Sequence, residues 1–422
     1  VKRRARIMNG NLVINPFLQL SSSNEEDADF FLIVPKLQAG LQKLKISKSE
    51  QPNLYELFLE FSQTSFELLS IQYDLDDTER EFLYQSGVLV ESENVPQKTL
   101  FACHLDEVET KVSEIDTASL IVNPTFRFEP FDFANYVSWV HEKHVSPHQS
   151  SVWLKQPVTE IEIGYWLNND QAETISKFTA GEKLSSPVDP ELLSKLAASR
   201  ILTTAEMLSE NECTQREALE QAKIKYNRDK YVVLRELLPP AQMKAMRRYY
   251  RQYVSQGFMP FDDSQSKRFY QHNEPLARLF HGQLAKLMSA IVGEEVIPSY
   301  VYAASYIENA DLKPHIDRAQ CEFSISFQID YLPEPENHLS PWALFVYEPD
   351  FSNDQLIKHK TGEFPARNEN EDKNTAIYLA SGDGLIYKGR ELIHYRYALP
   401  DGHQSTSLFF HYVSKDFEGE LT

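Results

Sequence analysis

The chain has 422 residues, 42% of them hydrophobic and 12% aromatic, enough to bury cores in two or three domains. Its 62 acidic and 42 basic side chains leave a formal charge of −20, which argues against a nucleic-acid groove as the main surface. Cys103, Cys213 and Cys321 are odd in number and far apart, with no C-x-x-C; this fits a reducing cytosol and offers no structural zinc.

The opening VKRRARIMNG is basic, but no apolar core follows it, so it does not read as a secretory signal. Val1 is consistent with a GUG start read literally, with Met8 as the alternative start. No apolar run approaches the ~18–20 residues of a membrane span. The expectation is a cytoplasmic protein with no membrane and no nucleic-acid partner.

Residues 1–115 read as one accessory module, mainly helical. An acidic loop, SSSNEEDAD, precedes FFLIVPKL, a strand or short apolar segment. In LYELFLEFSQTSFELLSIQ, Leu54, Leu57, Phe58, Phe61, Phe66 and Leu69 recur at helical spacing. DDTEREFLYQSGVLV reads as a capped helix ending at Gly87, then a strand. Helix, helix and then GVLV is reminiscent of a small winged-helix or peptide-docking module. It reads equally as a dimerisation or scaffold domain, so a homodimer belongs among the expectations.

Residues 116–225 form a mixed, helix-rich connecting region. His141, His144 and His148 lie close in sequence, but no Cys or carboxylate is spaced to complete a metal site, and surface histidines are the expectation. The third segment, 226–422, enters through DKYVVLRELLPPAQMKAMRRYYRQYV: a strand, a Pro-Pro turn and an amphipathic helix. Its cationic, aromatic run Met246–Arg251 is expected to form a solvated helix face. Arg268, His272, Asn273 and Glu274 cluster just before the next helix; capping by Asn273 or Glu274 is the expected role, lining a substrate mouth the other.

The chemistry concentrates beyond residue 300. EEVIPSYVYAASYIENADL is strand-like, and LKPHID places His315 and Asp317 two residues apart, a spacing that puts both side chains on one face of a strand. In CEFSISFQIDYL, Phe323, Ile325, Phe327 and Ile329 alternate with Ser, Ser and Gln, the pattern of a half-buried strand. The polar segment 366–374 reads as a loop between core strands, of the kind that covers a site as a lid. Gly382-Asp383-Gly384 gives a tight turn into LIYKG, His394 sits in an apolar, β-rich run, and SLFFHYV closes the chain as a last strand. Two imidazoles and one carboxylate can hold one face of a non-haem iron and leave three adjacent positions open for co-substrate and O₂. H-x-D alone is a weak signal, equally consistent with a buried His–Asp hydrogen-bonded pair; the order of the flanking elements makes it specific.

That order, over roughly residues 226–415, resembles the Fe(II)/2-oxoglutarate-dependent dioxygenases, within their prolyl-hydroxylase-like branch. The resemblance implies an α+β protein whose C-terminal part is a double-stranded β-helix (jelly roll) with flanking helices. It implies Fe(II), 2-oxoglutarate and O₂ as cofactors and His315, Asp317 and His394 as metal ligands. The family usually carries an Arg or Lys about ten residues beyond the distal His, for the far carboxylate of 2-oxoglutarate. Here that region reads GHQSTSLFFHYV, with no Arg or Lys between Arg396 and Lys415.

Either Arg396, two residues past His394, takes over the carboxylate, with Ser405 or Ser407 donating hydroxyl hydrogen bonds and His403 assisting if protonated, or the co-substrate is not 2-oxoglutarate. Lys388 and Arg390 are weaker candidates. Tyr306 matches a position where relatives carry a tyrosine that contacts the co-substrate; it reads equally as an ordinary strand aromatic. In the related halogenases the carboxylate ligand is replaced by a small residue, so Asp317 favours hydroxylation or desaturation. The expected substrate is an amino acid, a peptide or protein side chain, or a specialised metabolite. The alternatives are a non-catalytic β-helix that binds or senses, and a metal-dependent cupin-like enzyme without 2-oxoglutarate.

Overall fold

The computed structural model describes residues 12–14, 19–21, 30–36, 40–47, 49–55, 75–91, 101–110, 119–130, 150–184, 186–255, 257–264, 266–347 and 374–421. The expected helix over 54–72 beyond Tyr55, the histidines at 141, 144 and 148, and the loop 366–373 lie outside these residues. The chain divides into two compact units. The first comprises Val1–Leu100, Asp132–His148 and Gln252–Pro260; the second comprises Phe101–Phe131, Gln149–Arg251 and Phe261–Thr422.

In the first unit, the described residues are mostly strand, and the longer of the two helices expected there lies almost wholly outside them. The strands β1 (Leu12–Ile14), β2 (Gln19–Ser21), β3 (Phe30–Lys36) and β4 (Gly40–Ile46) precede a helix, α1 (Asp77–Gln85), and β5 (Leu89–Glu91). β3 is the central strand of β2-β3-β4, and β1 pairs with β5. The backbone of FFLIVPK is paired on both sides, which makes it a strand. The capping signal near 76 is present in full. Asp76 accepts from the Glu79 amide, Glu79 reaches back to the Asp76 amide, and Gly87 follows at φ 79°.

The second unit opens with β6 (Ile121–Val122), β7 (Arg127–Glu129), β8 (Ser151–Lys155) and β9 (Glu162–Trp166); β7-β8-β9 form a small sheet. The helices α2 (Asn169–Ile175) and α3 (Pro190–Ala198), the strand β10 (Leu202–Thr203) and the long helix α4 (Ala205–Asp229) follow. Phe101 ties this part to the rest of the unit: its ring meets Trp166, Tyr249 and Phe280 edge-on at 6.0, 6.3 and 6.5 Å.

The remaining elements are β11 (Tyr231–Leu234), α5 (Pro240–Ser255), β12 (Phe261–Asp262), β13 (Arg268–His272), α6 (Pro275–Val292), β14 (Val296–Ile307), β15 (Leu312–His315), β16 (Phe323–Leu332), β17 (Leu344–Tyr347), β18 (Thr375–Ile377), β19 (Gly384–Lys388), β20 (Ile393–Arg396) and β21 (Gln404–Ser414). They build two antiparallel sheets, one of seven strands in the order β11-β19-β16-β21-β14-β13-β12 and one of four in the order β15-β20-β17-β18. From β14 onward the chain passes back and forth between the sheets, the strand path of a jelly roll.

The large sheet has two different faces. On one, α6 packs against β14 and β21, with His281 stacked on Phe410, which in turn meets Phe327. The other, toward which Tyr306, Ser324, Gln328 and Ser407 alternate, is also buried. β16 is therefore not the half-buried strand its alternation suggested: Ser324, Ser326 and Gln328 are as enclosed as Phe323 and Ile325.

Glu274 caps α6, accepting from the Leu276 and Ala277 amides while Tyr249 and Tyr250 donate to the same carboxylate at 2.6 Å. Asn273 instead accepts from the Val301 amide. The run Met246–Arg251 is not a solvated face. Arg247 and Arg251 grip the buried Asp330, Arg248 pairs with Glu107, and both tyrosines point inward to Glu274.

Candidate metal centre

β15 and β20 lie side by side in the small sheet with His315 directly opposite His394, their rings 4.2 Å apart. Asp317 lies just past the end of β15 rather than within it, and its amide donates to the Gly389 carbonyl at 2.8 Å. Its Oδ1 comes within 3.4 Å of His394 Nε2. One donor atom from each of His315, Asp317 and His394 falls within 4.8 Å of the others.

Both imidazoles turn Nδ1 toward a backbone carbonyl two residues earlier in the chain. His315 Nδ1 donates to the Lys313 carbonyl at 2.7 Å, and His394 Nδ1 to the Leu392 carbonyl at 3.1 Å. A carbonyl only accepts, so Nδ1 carries a proton in each ring, and in the neutral ring it is Nε2 that offers a lone pair. Burial, then the neighbouring His394, pushes His315 down to about 4, so its ring is neutral near pH 7. Burial opposes charge on Asp317, but His394 outweighs it and holds the carboxyl at about 2. Burial likewise opposes protonation of His394, and Asp317 outweighs it, raising that group.

Arg396, at the end of β20, is buried. Its guanidinium lies 4.5 Å from the centre of the Trp342 ring and donates to the Trp342 carbonyl. Burial lowers it to about 10, against the pull of Tyr306, Tyr387 and Tyr331 around it. Tyr306 is buried on β14, between Arg268 and Ser405 in register, with its ring 5.1 Å from Trp342. Ser405 and Ser407 are buried on β21, and both contact Gln328: Ser405 Oγ accepts from its Nε2 at 3.3 Å, and Ser407 Oγ donates to its Oε1 at 3.5 Å. His403 Nδ1 shares a hydrogen bond with the Tyr331 hydroxyl at 2.8 Å. Lys388 pairs with Glu391 and Arg390 is exposed, so neither joins this group.

On the β13 side, Arg268 lies over Tyr302 and Tyr270 at 5.3 and 5.8 Å, and Arg318 over Tyr300 at 4.4 Å. Sequence reasoning missed Ser324, Gln328, Gly389 and His411. For Ser324, Gln328 and His411 the signal was present in the alternation of β16 and β21, but a polar residue among apolar ones reads as solvent-facing until a second sheet is known to cover it; Gly389, just past β19, carried no such signal.

No family model and no curated protein matches the sequence. Solved structures do. The chain is similar to the non-haem alpha-ketoglutarate-dependent epimerase SnoN from nogalamycin biosynthesis, at 16% identity over 47% of this chain and 82% of that one, with a TM-score of 0.39. It is similar to a Pseudomonas putida prolyl-4-hydroxylase at 12% identity, covering 47% of this chain and 99% of that one, with a TM-score of 0.35. HygX from Streptomyces hygroscopicus, solved with nickel and 2-oxoglutarate, matches at 11% identity over 47% of this chain and 87% of that one, with a TM-score of 0.36. At these values the functional reading rests on the chain's own residues.

Proposed function

We propose that the protein is an Fe(II)- and 2-oxoglutarate-dependent dioxygenase whose C-terminal sheets form a double-stranded β-helix. Its substrate on this reading is an amino acid, a peptide or protein side chain, or a specialised metabolite. The observation that carries the reading is the meeting of His315, Asp317 and His394 within 4.8 Å, with both Nε2 atoms free of backbone partners. Two imidazoles, deprotonated at Nε2 when a cation is bound, and one carboxylate suit ferrous iron and leave positions open. The bound metal would supply the oxidation, coupling oxidative decarboxylation of 2-oxoglutarate to hydroxylation or desaturation of a substrate carbon.

The chain's own residues do the rest. His315, Asp317 and His394 hold the cation. Arg396, fixed on Trp342, supplies a buried positive charge for the far carboxylate of the co-substrate, with Tyr306 beside it. Ser405 and Ser407, bridged by Gln328, offer hydroxyls on the next strand. The two buried sheet faces exclude water, which strengthens each of these interactions.

One observation favours a second reading, a metal enzyme without 2-oxoglutarate: β21 presents serines where the family's cation is expected. Anaerobic titration with Fe(II) and then 2-oxoglutarate separates the two. A weak visible band on adding 2-oxoglutarate is the expected result; iron binding without that band favours the second reading. Absence of iron binding leaves a non-catalytic binding protein.

A further inference from the structure

Behind Asp317 lies a connected set of side chains that the metal reading does not use. Ser324 Oγ donates to Asp317 Oδ2 at 3.2 Å, and the same oxygen is 2.9 Å from His411 Nδ1. Because the serine proton goes to the carboxylate, His411 Nδ1–H donates to the serine oxygen. His411 is itself anchored: its ring lies 4.7 Å from Tyr300, and its carbonyl accepts from His281 Nε2 at 2.7 Å. Ser324 and His411 are buried, on neighbouring strands in direct register. Gly389 keeps the space open. A Cβ there would collide with Asp317 Oδ2 and the Cys321 carbonyl, and would lie 2.9 Å from Ser324 Oγ. The two carboxylate oxygens thus have separate tasks: Oδ1 faces His394, and Oδ2 is turned back into the protein.

We propose that Ser324, backed by His411, is a positioning residue that keeps Asp317 bound to the cation through Oδ1 alone. This rests on the metal-centre reading above. A carboxylate free to turn would add its second oxygen to the metal and occupy one of the positions the co-substrate needs. Partners of this kind tune a site at a distance of one hydrogen bond, and losing one typically costs about 10- to 100-fold in metal affinity.

The test uses the full chain, freed of metal, titrated with Co(II) alone and followed by its visible absorption. In Ser324→Ala, Co(II) affinity should fall about 10- to 100-fold, and the visible spectrum should shift as the second carboxylate oxygen displaces solvent from one of the open positions. Ser324→Thr, which keeps the hydroxyl, should restore both. His411→Phe, which keeps the ring but removes its donor, should shift the spectrum in the same direction as Ser324→Ala. It serves as the test if Ser324→Ala does not fold. Wild-type affinity and spectrum in Ser324→Ala, or in His411→Phe in its place, overturns the proposal and leaves the metal centre standing. Wild-type Co(II) binding by His315→Ala, measured alongside, overturns the metal reading itself and the proposal with it.

Discussion

Arg396 lies over Trp342, its guanidinium 4.5 Å from the ring centre, and donates to that residue's own carbonyl. A buried guanidinium held on two sides is preorganised, so little side-chain entropy is lost when an anion arrives. Arg396→Ala should leave Fe(II) binding intact and weaken 2-oxoglutarate. Removing one partner of a charge-assisted pair in a buried site costs roughly 2–5 kcal/mol, about 30-fold or more in affinity. The change reads out as the 2-oxoglutarate concentration needed to develop the visible band. Unaltered titration would assign the co-substrate carboxylate to another group.

Removing any one of His315, Asp317 or His394 leaves two donors for a labile divalent ion. Alanine at each position should lower Fe(II) affinity by more than the roughly 10–100-fold that outer partners cost. Equilibrium dialysis under anaerobic conditions measures this. A chelator should abolish substrate oxidation, and Fe(II) should restore it. Retention of wild-type affinity in His394→Ala would show that the trio is a hydrogen-bonded pair with a neighbour.

Asp330 is buried and takes Arg247 Nε at 3.0 Å, and Arg251 through Nε at 2.6 Å and Nη2 at 2.9 Å. It joins β16 to α5. Asp330→Ala would leave both guanidiniums without this partner. Their partial exposure lets water compensate, so the expected loss is about 2 kcal/mol rather than the roughly 3–5 of a fully enclosed pair. Urea unfolding gives the value; a change below about 0.5 kcal/mol would make the pairing incidental.

His281 sits on α6 with Nε2 donating to the His411 carbonyl, and burial pushes it down to about 3 from the usual 6.5. The unfolded chain therefore binds a proton that the folded chain refuses between those values. The stability this group contributes is full above pH 6.5 and is lost as pH falls toward 3. His281→Phe removes one proton from the linkage. Between pH 6 and 4 the wild type should lose stability more steeply than the variant, by about 1.4 kcal/mol per pH unit. Equal slopes would mean that His281 is protonated in the native state.

Local signals carried some of this protein a long way. The capping residues at Asp76 and Glu274, the turn at Gly382-Asp383-Gly384 and the strands either side of His315 depend on neighbours in sequence, and the structure has them. The apolar run FFLIVPK was open between strand and short segment for the same reason. Periodicity alone cannot classify seven residues.

What spacing could not decide is which polar residues face inward. Ser324, Gln328, Ser407 and His411 alternate with apolar neighbours just as a solvent-facing row would, yet all are buried because a second sheet covers that face. Burial on both sides is a property of two strands far apart in sequence, so no window on either strand contains it. The same holds at the candidate centre. H-x-D nominates His315 and Asp317 by proximity in the chain, but His394 stands opposite His315 only because β20 pairs with β15 from a distant part of the sequence. That register, and Gly389 leaving room for the Asp317 carboxylate, are decided by how the sheets close, where each side chain meets partners the sequence does not place beside it.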